Sequence, residues 1–422
     1  MGLRGALLYP FQGVSREVLI LVGAGFLVGL PYGFSGLVLP IYLSRLGVDT
    51  STIGLLFTLS SLIYTALLIP SGLLSDRYGR RRFVLLGTGL YAISFGLLAA
   101  GRELPMVGAA VLLGGVYFGT TSAAWTALIA GRVHPTNHSR AFALNSVAWA
   151  AASALGNLLG GLPELLSRLV GLEILETYRL LFAGAAGVVG VAWVLTWLVG
   201  EDRVVTTRLS LGNLMPHRSR RLLAKYAAVV VWTGAAYGLA IQLLPLWFYL
   251  RFGVDEEALS GWFALGSLMV LPSAYLVPWL VSRVPLQRIP VAVWVLATLT
   301  LVGISVAPDY QLAALIYLFR SLVIFMNMPI MQTFLMGRVP PEERGAAAAL
   351  SEAVWALGAT LTPTLAGHWL QAGLYQAPLW AAAVCTLAAA TLFQLLLSTE
   401  PPLPTSSLPV TVPPRSTGRP SI

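Results

Sequence analysis

Twelve apolar stretches of roughly 20 residues recur between Val18 and Leu397 with short, Arg-bearing interruptions, and this recurrence leaves few folds open. About 20 apolar residues in a helix cross the roughly 30 Å hydrocarbon core of a bilayer. Within lipid every backbone polar group must be paired inside the protein, so spanning segments are helices or closed barrels. Barrel strands read as segments of about ten residues with alternating polarity, a pattern foreign to this chain. The expected spans are 17–43, 52–74, 83–101, 106–131, 141–162, 178–199, 223–250, 258–281, 289–307, 311–337, 346–371 and 377–398. Composition agrees, with 57% of the 422 residues hydrophobic and 10% charged, against about a quarter charged in a water-soluble domain. The fold class read from the sequence is an all-α membrane protein with twelve transmembrane helices.

A net charge of +9 invites a nucleic-acid reading, which the location of the charge removes. Assigning the 26 basic residues to successive loops puts 20 on the side that also carries both chain ends. Arg45, Arg102, Arg168, Arg179 and Arg251 fall on the opposite side, and Arg320 lies within a span. By the positive-inside rule both termini are cytoplasmic, as an even number of spans requires. The expected location is the inner (plasma) membrane, with the lipid bilayer as a partner and no nucleic acid.

An internal repeat divides the chain. The most basic connector, 200–222, separates spans six and seven and reads as a cytoplasmic linker. At an offset of 206, Gly131, Arg132, Val133 and Pro135 recur as Gly337, Arg338, Val339 and Pro341, and Trp149 recurs as Trp355. In the first span of each half the offset is 205: Tyr32, Gly33 and Pro40 recur as Tyr237, Gly238 and Pro245. It returns to 206 for Gly47, Val48 and Asp49 against Gly253, Val254 and Asp255, so one residue is inserted in between. Two six-helix bundles, 1–199 and 223–398, are expected to be related by a pseudo-two-fold axis along the membrane normal with a substrate cavity between them. The Pro-, Ser- and Thr-rich tail 399–422 has no apolar face to bury and reads as disordered.

Between spans two and three the chain reads Gly72-Leu73-Leu74-Ser75-Asp76-Arg77-Tyr78-Gly79-Arg80-Arg81-Arg82. Gly72 suits close helix approach, Gly79 a tight turn, and Asp76 a bond to a basic group or a helix N-terminus at the membrane edge. This loop resembles the signature of the major facilitator superfamily, Gly-x-Leu-Ala/Ser-Asp-Arg-x-Gly-Arg-Arg, nearly in full. The resemblance implies the fold of that family, transport by alternating access, and a conformational latch at Gly72, Asp76, Arg77, Gly79, Arg80 and Arg81. In that reading Asp76 and Arg80 hold the cytoplasmic ends of the halves together in the outward-open state. Anchoring of the loop at anionic lipid is the plainer alternative. At the equivalent place the second half keeps Arg283 and loses the acid and the glycines.

The fifth span carries Gly156, Asn157, Gly160 and Gly161, similar to the Gly-x-x-x-Gly-Pro-x-x-Gly-Gly motif of the antiporter branch of that superfamily, with Asn157 in place of proline. Small residues at this spacing are expected to let the fifth helix press on its neighbour in the other half. An Arg that the branch places in the fourth span is missing, the position here being Gly115. Arg320 near mid-membrane and Glu352 in the eleventh span are the charges well inside spans, and burial of such a charge costs on the order of 3 kcal/mol or more without a partner. Three readings stand open: Arg320 binds an anionic substrate group, Glu352 exchanges a proton under the influence of Arg320, or the two form a permanent salt bridge.

Tyr32, Tyr237, Gln242, Asn145 and Asn327 are the polar cavity candidates, the first three because the first helix of each half lines the cavity in the family. A cavity rich in aromatics and poor in charge suits an amphipathic compound better than a sugar. Enzymatic readings find no support, since His134, His138 and His217 fall in loops and His368 near a span end, without helical metal-ligand spacing. The single Cys385 allows no disulfide within the chain. No metal and no cofactor are expected. The expected activity is proton-coupled efflux of small amphipathic compounds by a monomer, with proton-coupled uptake of a polar nutrient as the alternative.

Overall fold

A computed structural model describes residues 15–201 and 218–400. Among them are twelve long helices, which we number α1 Arg16–Arg45, α2 Thr50–Tyr78, α3 Arg80–Ala100, α4 Leu104–Ala130, α5 His138–Val170 and α6 Ile174–Trp197 in the first half. The second half holds α7 Arg220–Phe252, α8 Glu256–Arg283, α9 Ile289–Val306, α10 Tyr310–Met336, α11 Arg344–Gln371 and α12 Ala377–Leu396. Eleven of these are long and apolar enough to cross a membrane. The remaining one, α11, has the length, 28 residues, but is diluted by Gly, Thr, Ser and Glu352. Most of the linker 200–222 and of the tail 399–422 lies outside the described residues.

The repeat seen in the sequence reappears as paired geometry. Tyr32 of α1 meets Trp149 of α5 with ring centroids 5.3 Å apart, and Tyr237 of α7 meets Trp355 of α11 at 5.2 Å. The shared Gly-Arg-Val segments do the same work twice. Arg132 donates to the carbonyls of Leu128 and Gly200, tying the end of α4 to the end of α6. Arg338 donates to the carbonyls of Phe334 and Glu400, tying α10 to the end of α12. Each guanidinium satisfies carbonyls that a helix end leaves without intrahelical partners.

Three helices are interrupted. In α5 the chain breaks at Gly160 and Gly161 and then continues to Val170, past the expected end at 162. In α8 the break is at Met269, and the helix begins at Glu256 rather than at 258. In α7 a wide turn over Tyr237–Ile241 is closed by a bond from the Gln242 amide N–H to the Tyr237 carbonyl, 3.2 Å, five residues back. Such a π turn absorbs one extra residue in a helix, but the repeat offset, unchanged at 205 from Tyr237 through Pro245, puts the inserted residue later, between Pro245 and Gly253. The counterpart α1 runs unbroken from Arg16 to Arg45 despite Pro31 and Pro40.

The halves meet along two crossed pairs, α2 with α11 and α5 with α8. A Cβ at Gly54 would stand 2.4 Å from the carbonyl oxygen of Pro363, and one at Gly367 would stand 2.5 Å from that of Thr50. Backbone therefore touches backbone at this end, which only small residues permit.

The fifth-helix motif departs from expectation. Gly156 and Gly160 face α1 in their own half, where added Cβ atoms would meet the Leu30 carbonyl at 2.1 Å and Leu37 at 2.7 Å. Asn157 and Gly161 face α8: the Asn157 amide donates to Ser267 Oγ at 3.0 Å, and a Cβ at Gly161 would lie 3.0 Å from Ser260 Oγ. Residues four apart share one helix stripe, so the motif serves two neighbours rather than the other half alone.

Candidate functional site

A cavity of about 420 Å³ lies among α1, α2, α3, α4, α7 and α11, within the usual range for small-molecule sites. No ionisable acid or base other than tyrosine lines it. Its aromatic wall includes Tyr32, Tyr64, Phe118, Tyr237 and Trp355. Of the serines around it, Ser35, Ser60 and Ser94 give their hydroxyl protons to helix carbonyls, at 3.2, 3.0 and 2.7 Å, so they offer little to a ligand. Among the described residues, the fully buried polar atoms of this lining without a partner are Ser122 Oγ and Gln242 Oε1. A buried acceptor with no donor costs about 1–3 kcal/mol, and a donor on a bound molecule would remove that cost.

The expected candidates separate into two groups. Tyr32, Tyr237 and Gln242 line the cavity, and Gln242 Nε2 also donates to Ser61 Oγ of the other half at 3.3 Å. The π turn of α7 places Tyr237, Ile241 and Gln242 on one wall. Asn145 and Asn327 do not line it, which corrects their expected place. Asn145 Oδ1 accepts from Trp125 Nε1 at 3.3 Å, and Asn327 is buried. Gly115 lines the cavity but has no room for the Arg of the antiporter branch, since a Cβ there would fall 2.2 Å from the Ser60 carbonyl.

Arg320 and Glu352 are not brought together. The guanidinium, on a residue only 5% exposed, donates to the Ala297 carbonyl of α9 at 3.3 Å. Among the described residues no carboxylate lies within ion-pair distance of it. Glu352 is exposed and accepts from the Tyr64 hydroxyl across the halves at 2.9 Å. The permanent salt bridge is therefore absent from this structure, because Arg320 turns toward α9 while Glu352 turns toward α2.

The signature loop is ordered around Arg80. Its Nε donates to Asp76 Oδ1 at 2.8 Å and its Nη1 to the Ala127 carbonyl at 3.1 Å, binding the loop to the end of α4. Arg81 donates to the carbonyls of Thr196 and Trp197 at the end of α6. Gly79 has φ +104°, a conformation that disfavours any side chain. Gly72 is less constrained than expected, a Cβ there meeting Ala123 at an ordinary 3.5 Å. Arg77 stacks its guanidinium on the Tyr78 ring at 5.4 Å. Among the described residues Asp76, Arg77 and Arg80 make no bond to the second half.

At the other end of the bundle lies a cluster that the sequence reading overlooked. Arg45, at the end of α1, places Nη2 at 2.6 Å from Glu164 of α5, 2.8 Å from Asp255 and 3.1 Å from Glu256 of α8. Glu256 is fully buried and also accepts from the Tyr178 hydroxyl of α6. Arg168 pairs with Glu257 beside it. The signal available in the sequence was Arg45 and several acids at span ends on one predicted side, where charges ordinarily read as solvated.

A family model described as the Major Facilitator Superfamily matches residues 21–337 and 326–419. The quinolone resistance protein NorA of Staphylococcus aureus is 26% identical over 206 residues, 48% of this chain and 50% of NorA, so the match spans about half the length of that relative. The multidrug resistance protein MdtH of Yersinia pestis is 25% identical over 359 residues, 83% of this chain and 84% of MdtH. The crystal structure of a D-xylose-proton symporter superposes with a TM-score of 0.74 at 15% identity, covering 92% of this chain and all of that one, a likeness of fold.

Proposed function

This chain belongs to the Major Facilitator Superfamily, and from that membership we propose that it exports small amphipathic compounds in exchange for protons, by alternating access of two six-helix halves. The carrying observation is the cavity: aromatic walls, no charged side chain, and three of its five serine hydroxyls already bonded to backbone. Such a wall offers stacking and apolar contact and few directed hydrogen bonds. The names of NorA and MdtH favour the same class.

In this reading the bundles 1–199 and 223–398 are the moving bodies, 200–222 is their cytoplasmic linker, and the bilayer is an inner membrane with both termini in the cytoplasm. The protein works as a monomer. The end carrying Arg45 is then external and closed, and the state described is inward-facing. The latch formed by Asp76, Arg77, Arg80 and Arg81 engages the second half only when the external end opens; its lack of cross-half bonds from Asp76, Arg77 and Arg80 here accords with that. Glu352, at the cavity edge through Tyr64, carries the exchanged proton, and Arg320 acts on it only in another state.

Uptake of a polar nutrient is the second reading, supported by the two free polar atoms, Ser122 Oγ and Gln242 Oε1. The test is reconstitution in vesicles with an imposed pH gradient, adding lipophilic cations, other amphiphiles, sugars and organic acids singly, with Glu352→Gln in parallel. Collapse of the gradient by amphiphiles, lost in Glu352→Gln, supports export. Collapse by a sugar or organic acid alone replaces it with uptake.

A further inference from the structure

The Arg45 cluster contains both kinds of partner that a reversible closure needs. Arg45 and Glu164 belong to the first half and move together, whereas Asp255 and Glu256 belong to the second. One guanidinium thus faces three carboxylates, one oxygen of each lying within 4.8 Å of the others. The surroundings add two aromatic faces, Tyr178 of the first half at 5.8 Å from the guanidinium carbon and Tyr249 of the second at 5.5 Å.

We propose that Glu164 is a release partner: it repels Asp255 and Glu256 across the closed end, weakening the external closure, and it keeps Arg45 paired when the halves part. The Arg45–Glu164 attraction exists whether the end is closed or open, so it cancels from the equilibrium. Repulsion of Glu164 by Asp255 and Glu256 exists only when the end is closed, and Coulomb energy at these separations is appreciable. Attraction of Arg45 to Asp255 and Glu256 also exists only when closed. Two carboxylates beside the same arginine therefore push the equilibrium in opposite directions, according to the half that carries them. Glu164 acts as a positioning residue and touches no substrate.

The inference rests on the alternating-access reading, which the same experiment tests separately. The full chain, with Cys385→Ala and spin labels at Leu172→Cys and Leu374→Cys, is reconstituted in liposomes and the distance between labels is measured by pulsed electron resonance. Both label sites are exposed, in external connections of the first and second halves. Two distance populations in the parent establish alternating access whatever Glu164 does. Glu164→Gln is expected to raise the closed-to-open ratio roughly two- to fivefold, the range of a partly exposed charge interaction. Arg45→Gln is expected to lower it by more, and Asp255→Asn, the milder change should Arg45→Gln fail to fold, to lower it several-fold. A lowered ratio in Glu164→Gln makes Glu164 another strap of the closure and overturns the proposal, as does an unchanged ratio.

Discussion

At one end of the bundle ion pairs cross from half to half, whereas at the opposite end pairs such as Arg80–Asp76 and Lys225–Glu400 each join residues of one half. Arg45 and Arg168 reach Asp255, Glu256 and Glu257 across the interface. Arg80–Asp76, Arg82–Glu201 and Arg132–Glu17 stay within the first half, and Lys225–Glu400 within the second. The end with the fewer arginines is the closed one, so the amount of basic charge does not decide closure. What differs is the backbone beneath: Gly54 and Gly367 let α2 and α11 touch at the closed end, where the Arg45–Glu256 pair is largely buried while Arg168–Glu257 stays exposed. Buried pairs stabilise only when geometry and packing compensate the loss of hydration, which the crossed glycines help to provide.

The comparison breaks most severely if that backbone contact is removed. Gly54→Val places carbon where the Pro363 carbonyl stands, 2.4 Å away, and is expected to abolish the short label distance and reduce transport at least tenfold. Survival of the short distance would show that the ion pairs close this end without the glycines. Asp76→Asn addresses the other end. It removes only the bond from Arg80 in this state, so the protein is expected to fold while transport falls about tenfold through loss of the alternate state; unaltered transport would reduce the loop to a topological anchor. Gln242→Ala, between the two ends, is expected to raise KM several-fold and leave the label distance unchanged, separating recognition from closure.

The smallest effect concerns Asp49, which caps α2 at the closed end. Bonds from Ser51 and Thr52 hold its carboxyl down to about 2. A depressed value means that its contribution is complete above the ordinary carboxyl range and is lost as pH falls through about 2. Asp49→Asn is therefore expected to lower Tm by about a degree at pH 7, with the difference shrinking in strong acid. The neighbouring Ser51 N–H donates instead to Gln371 of the second half, 3.0 Å, so a larger loss would mean that the cap also orders this cross-half bond.

Much of the architecture was legible because lipid imposes a one-dimensional rule: apolar length decides a span wherever the segment lies. The repeat was legible for a related reason, since Tyr32 with Trp149 and Tyr237 with Trp355 occupy matched positions. The matching prolines pointed to an insertion beyond Pro245; the structure puts the irregularity before it, on the cavity wall. The separation of Arg320 from Glu352 could not be read in this way. Depth in the membrane follows from residue count, but the direction a side chain faces depends on helix rotation, which only the neighbouring helices fix.

The sequence by itself determined the membrane class, the twelve helices, their division into two halves and the family. Tertiary structure alone decided which polar groups face the cavity, that the fifth-helix motif serves two neighbours, and that Arg45 meets acids from both halves. Hydrophobic length and repetition are properties of a single chain segment. Pairing of charges at helix ends more than 200 positions apart, as for Arg45 and Asp255, arises only when packing brings those ends together.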